Sequence, residues 1–141
     1  MIQVSITGGS ENIEINEKVM TYANFSLVTP ADSNARSTDQ YTQLILKGKI
    51  VPSVASVDGE PTVALDKWAA VTDDKLEAYR SVSVKVTEAS VVLREYTLPS
   101  AYVVNYKVDY SDTEGNGLFT LQVRQKKDKT KDTTVEGGFG I

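Results

Sequence analysis

Residues Tyr102–Tyr110 read YVVNYKVDY. Taken alternately, Tyr102, Val104, Tyr106, Val108 and Tyr110 fall on one side, and Val103, Asn105, Lys107 and Asp109 on the other. A period of two is the mark of a strand with one buried face, because successive side chains of a strand point to opposite sides of its sheet. The Tyr-Val side is therefore expected in a core and the Asn-Lys-Asp side in water.

The same pattern recurs on both sides of this segment. Downstream, Asp112–Gly117 (DTEGNG) is a hairpin turn signal, and Phe119, Leu121 and Val123 then alternate with Thr120, Gln122 and Arg124. Upstream, Val82, Val84 and Val86 alternate with polar residues. Glu88-Ala89-Ser90 reads as a turn, and Val91–Leu98 as a partner strand ended by Pro99. Nearer the N-terminus, Ile2, Val4 and Ile6 form a short strand broken at Gly8-Gly9-Ser10, and Ile13 and Ile15 suggest its hairpin return. Val19–Leu27 reads as a longer strand stopped by Pro30, and Leu44, Leu46 and Ile50 mark another, closed by Pro52 and Asp58-Gly59.

One segment breaks the alternation. Pro61–Val71 (PTVALDKWAAV) opens with a proline suited to a first helical turn, and Leu65 and Trp68 stand at i, i+3. It is read as a short helix with the sole tryptophan as a core anchor rather than a ligand platform. The expectation is a mainly β fold: a β-barrel or sandwich of about seven or eight mostly antiparallel strands, with one short flanking α-helix. At 141 residues the chain, 1–141, is expected to be a single domain with enough core to need no disulfide.

Composition narrows the chemistry. The chain has no histidine and no cysteine, so no Ser-His-Asp or Cys-His arrangement and no His/Cys zinc site can be built. No SxxK and no phosphate-binding glycine loop is present. Glu95 and Asp109, on neighbouring expected strands, are a weak candidate pair for glycoside hydrolysis. The chain is read as a non-enzyme without cofactor or metal. The net charge of −4 is mild and gives no reason to expect specific nucleic-acid binding. The start, MIQVSITGG, lacks the basic and apolar regions of a secretory signal, and no apolar run approaches the about 20 residues of a membrane span. A cytoplasmic origin follows as the expectation.

Three groups of residues are singled out as surfaces. Thr29–Gln40 (TPADSNARSTDQ) holds almost nothing apolar and reads as a long exposed loop. Its Asp32, Asn34, Arg36 and Asp39 are candidates for contact with another subunit. The strand faces bearing Asn105, Lys107, Asp109, Gln122 and Arg124 are candidates for a wet lumen or outer surface. Lys126, Lys127, Lys129 and Lys131, interleaved with Asp128 and Asp132, form a basic patch, read as a solvated strand end that can also hold an acidic partner.

Blocks Asp32–Asp39 (DSNARSTD), Ala78–Val86 with Val92–Val104, and Leu118–Gly138, with its RQKKDK, together resemble a small family of Gram-positive bacterial proteins. That family sometimes carries the label of a membrane-associated protease, which the missing protease residues and missing membrane segment contradict here. The order of elements is also similar to the tube protein of type VI secretion, the haemolysin-coregulated protein, and to phage tail-tube proteins. The family's usual N-terminal opening is absent from this chain, and its C-terminus is more basic. The resemblance implies a β-barrel with one flanking helix, a homohexameric ring, and stacking of rings into a tube inside a contractile sheath. Sheath, baseplate or spike proteins become the implied partners, and a phage-like particle or secreted tube the implied place. The competing expectation is a monomeric β-rich module that binds a protein or carbohydrate; a hydrolase is the third.

Overall fold

In a computed structural model, which describes residues 1–9, 12–30, 40–50, 62–71, 78–112 and 117–140, the alternating segments become strands of one antiparallel sheet. In chain order these are β1 (Ile2–Thr7), β2 (Ile13–Ile15), β3 (Met20–Val28), β4 (Tyr41–Ile50), helix α1 (Val63–Ala69), β5 (Arg80–Glu88), β6 (Val91–Tyr110), β7 (Gly117–Gln125), a 3-10 turn (Lys127–Asp132), β8 (Thr134–Glu136) and β9 (Phe139–Gly140). Strands pair in the order β2-β1-β5-β6-β7-β4-β3, with β8 and β9 also on β6.

The long strand β6 organises the molecule. Its first half, Val91–Ala101, pairs with β5, and its second half, Ala101–Tyr110, with β7. The sheet therefore divides into two layers that share β6: β2-β1-β5 with the first half, and β7-β4-β3 with the second. The layers close on one core. Val4, Ile6, Ile13, Ile15, Val82, Val84 and Leu98 come from one side and Leu44, Leu46, Phe119, Leu121 and Val123 from the other, all buried. Across the two layers, Phe25 of the terminal strand β3 stacks on Tyr96 in the first half of β6, with ring centroids 4.1 Å apart. This is the expected barrel-like sandwich. The short strands β8 and β9 escape the apolar pattern because every residue in them is exposed.

Two sequence expectations fail inside β6, for one reason: bulges. Pro99 does not end a strand. Pairing with β5 shifts between Arg80↔Ala101 and Val82↔Leu98, so Pro99 sits in an irregularity where its missing N–H is not needed for the ladder. Gln125, 1% exposed, closes this corner: its side-chain oxygen accepts from the Ser100 amide (2.8 Å) and its nitrogen donates to the Lys129 carbonyl (2.9 Å). The second shift lies between Val103↔Val123 and Asn105↔Gln122, and Val104 is the extra residue. Between the two shifts odd-numbered residues, Ala101 and Val103, face the core, and after the second one even-numbered residues do. Hence Val103, Tyr106 and Val108 pack on the core, whereas Tyr102 pairs beside Arg124 on the opposite face and Val104 is exposed. Tyr110, 76% exposed, lies beyond the core altogether.

The helix is shorter than expected, Val63–Ala69, and buries Leu65 and Trp68. The Trp68 indole N–H donates to the Ala78 carbonyl (3.1 Å), as a buried tryptophan requires. Between β5 and β6 the turn is a two-residue one, with Ala89 at φ 51° and Ser90 at φ 63° flanked by the pair Glu88↔Val91. Two left-handed residues in a row are the geometry of a type I′ hairpin.

Candidate functional site

The second layer, β3-β4-β7 with the second half of β6, has one face on the core and one on solvent. Register fixes what the solvent face carries. Ser26, Gln43, Arg124 and Tyr102 make one cross-strand row; Asn24, Ile45, Gln122 and Asn105 the next; Tyr22, Lys47, Thr120 and Lys107 a third. The structure thus brings Asn105, Lys107, Asp109, Gln122 and Arg124 onto one surface.

That surface is organised rather than loose. Gln122 donates to the Gln43 side-chain oxygen (2.6 Å), and the Arg124 Nε donates to the same oxygen (3.1 Å). The Arg124 guanidinium lies 4.2 Å above the Tyr41 ring, and Lys47 lies 5.0 Å above Tyr22. Cations held against ring faces gain about 0.5–1 kcal/mol at exposed sites. Lys107 and Asp109 approach only to 4.0 Å with both side chains well exposed, a pair of little energetic weight.

The face is bounded by two strand edges without backbone partners among the described residues. β3 pairs with β4 alone, and residues 102–110 of β6 pair with β7 alone. Free edges at both ends of one sheet are templates for further strands.

The first layer has a different solvent face. Gln3, Ser5, Glu14, Ser83, Lys85 and Glu95 line a shallow cleft of about 170 Å³ there. Ser5 donates to Glu14 (2.8 Å), and Gln3 donates to Glu17 (3.0 Å), a hydrogen bond that pulls the Glu17 carboxyl below its ordinary value. Its charged residues are mostly carboxylates, whereas those of the second layer are mostly cations. Glu95 and Asp109 do not form a catalytic pair. They stand on one strand, not on neighbours, separated by roughly 45 Å of chain at about 3.3 Å per residue, against the about 5–10 Å that glycoside hydrolysis requires.

The remaining candidates separate. Asp32, Asn34, Arg36 and Asp39 lie outside the described residues. The basic run is not a strand end: β7 stops at Gln125, and Lys127, Lys129 and Lys131 belong to the 3-10 turn, with Lys126 just before it. The Lys126 ammonium lies 5.3 Å from the centroid of the Tyr79 ring, an aromatic partner from another part of the chain. No group of metal-ligating side chains is present among the described residues, and none of their helices is long and apolar enough to cross a membrane.

No family model matches the chain, and no curated protein matches it. Solved structures do. Hcp1 from Flavobacterium johnsoniae is similar over 98% of this chain and 96% of its own, with 16% identity and a TM-score of 0.52. A chain of the anti-feeding prophage baseplate, solved with six-fold symmetry imposed, matches over 96% and 92%, with 16% identity and a TM-score of 0.53. The Hcp1 protein from E. coli EAEC 042 matches over 97% and 98%, with 13% identity and a TM-score of 0.56. A chain of the sheath–tube complex of the extracellular contractile injection system PVC, in its extended state, matches over 97% and 88% at 13% identity, with a TM-score of 0.53. Over the matched residues this chain has the fold seen in Hcp1 and in chains of contractile injection assemblies.

Proposed function

We propose that the whole chain, residues 1–141, is one non-enzymatic structural subunit that assembles with copies of itself into a ring, and through rings into the tube of a phage-derived or type VI-like contractile injection particle. The observation that carries this reading is the second layer: a four-stranded wall with a polar solvent face and two edges that are open among the described residues. When the β3 edge of one copy meets the β6 edge of the next, the contact is head-to-tail, and such contacts close into rings when the rotation allows. In that ring β2-β1-β5 packs on one side of the wall and takes the larger outer circumference. The polar face is then left to line the channel. Six-fold symmetry in the anti-feeding prophage baseplate makes a hexamer the expected ring. The sheath in the PVC complex and the baseplate of the prophage suggest the partners, and a phage-like or extracellular particle the setting.

Negative-stain microscopy of concentrated, tag-free protein, with light scattering on a sizing column, tests this. Rings with a central hole or stacked tubes are expected. A monomer at every concentration, with no rings on the grid, overturns self-assembly and leaves the monomeric binding module.

A further inference from the structure

We propose that the solvent face of the β3-β4-β7-β6 wall recognises acidic polypeptide, with Arg124 as its carboxylate-binding point. As recognition of cargo this rests on the tube reading, since the face is a channel wall only in a ring; the binding chemistry itself needs only the wall.

Charge is the first support. The chain is net negative, yet Lys47, Lys49, Lys107 and Arg124 share this face with Asp109 as the one carboxylate among the described residues. The acidic groups Glu14, Glu95 and Glu136 lie instead on the other layer, where Lys85 is paired between Gln3 and Glu95. An overall acidic protein that collects its cations on one sheet face presents a local attraction for anions.

The second support is the state of Arg124. Tyr41 lies under its plane and the Gln43 oxygen takes its Nε–H, while Gln122 holds Gln43 in place. Among the described residues its two terminal nitrogens donate to nothing. A guanidinium already fixed in plane loses little rotamer freedom on binding and offers two parallel N–H groups, the geometry that a carboxylate accepts with both oxygens.

The neighbouring groups favour polypeptide over nucleic acid. Tyrosines do lie among the cations, but the faces of Tyr41 and Tyr22 are covered by Arg124 and Lys47, and Tyr102 has Tyr79 edge-on at 6.0 Å. Ring faces so occupied make no stacking platform for bases. Between the cations stand amides, which pair with peptide groups by donating and accepting.

Fluorescein-labelled poly-L-glutamate, titrated into the full-length protein and followed by anisotropy, provides the test. Binding that weakens with added salt is expected. Arg124→Gln should weaken it about tenfold or more, Arg124→Lys less, and Lys85→Gln, the same charge change on the opposite layer, by less than about twofold. No binding of poly-L-glutamate, equal losses in Arg124→Gln and Lys85→Gln, or tighter binding of oligo-dT than of poly-L-glutamate would each overturn the proposal. Microscopy of the same samples separates the two readings. Rings that ignore poly-L-glutamate sink only the recognition, and a monomer that binds it through Arg124 sinks only the tube.

Discussion

Thr42 offers a sharp test of how this core is built. It stands on the inner face of β4 with Leu44 and Leu46, is wholly buried, and its hydroxyl has no hydrogen-bond partner among the described residues. The unfolded chain hydrates that hydroxyl, so folding bears its desolvation, about 1–3 kcal/mol for a buried polar group left unmade. Valine has nearly the same shape, buries a methyl instead, and suits a strand at least as well. Thr42→Val is therefore expected to stabilise the fold by about 1–2 kcal/mol. For a chain of this size that raises Tm by roughly 3–6 °C. Urea unfolding followed through Trp68 fluorescence, at a protein concentration where the assembly state is constant, should show a higher midpoint and an unchanged slope. Gln125 is the internal control. It is as buried as Thr42 but both its oxygen and its nitrogen are hydrogen-bonded, and Gln125→Leu would strand the Ser100 amide and the Lys129 carbonyl, at a loss of about 2 kcal/mol or more. If Thr42→Val lowers stability by about 0.5 kcal/mol or more, beyond the scatter of neutral substitutions, the hydroxyl is bonded and the reasoning fails.

Other outcomes follow from the backbone and from one carboxyl. Replacing Ala89-Ser90 with Asn-Gly, the pair suited to a type I′ turn, should stabilise by about 1 kcal/mol in the same urea assay; a loss would show that the turn is not strained. Gly48→Ala should cost about 1–3 kcal/mol, because the new methyl would come 2.5 Å from the Phe119 ring and 2.8 Å from the Val19 carbonyl; an undisturbed Phe119 ring in NMR spectra would contradict this. Glu17 should titrate below an ordinary glutamate in carbon-detected NMR, and Gln3→Ala should return it toward the usual value. A carboxyl whose folded pKa is depressed adds stability above its unfolded pKa and loses it as pH falls through the folded one. The difference between wild type and Gln3→Ala should therefore be present at neutral pH and vanish in acid.

The parts of the fold that could be read from the chain are those where one strand face is buried and the ladder is regular. β1, β4, β5 and β7 alternate cleanly because each lies inside the sheet with a neighbour on both sides. β6 was legible as a strand but not in its facing, since the extra residue at Val104 reverses the alternation and no residue type announces it. β8 and β9 bury no residue fully and are held by main-chain pairing to β6, which leaves little apolar signature. The Arg124 cluster combines residues of β4 and β7 that are far apart in the chain. Arg124 and Gln122 could be nominated as polar strand residues, but only the β4–β7 register sets Tyr41 and Gln43 against them.

Because β6 is a full member of both layers, neither layer can come away without breaking the same twenty-residue strand. Local opening is therefore expected at the rims, and hydrogen exchange at the inner amides of β6 is expected to require unfolding of the entire protein. If copies close into the proposed ring, its channel wall is welded to the outer layer by unbroken backbone, so a thrust on one is borne by covalent bonds and not by an interface that slips.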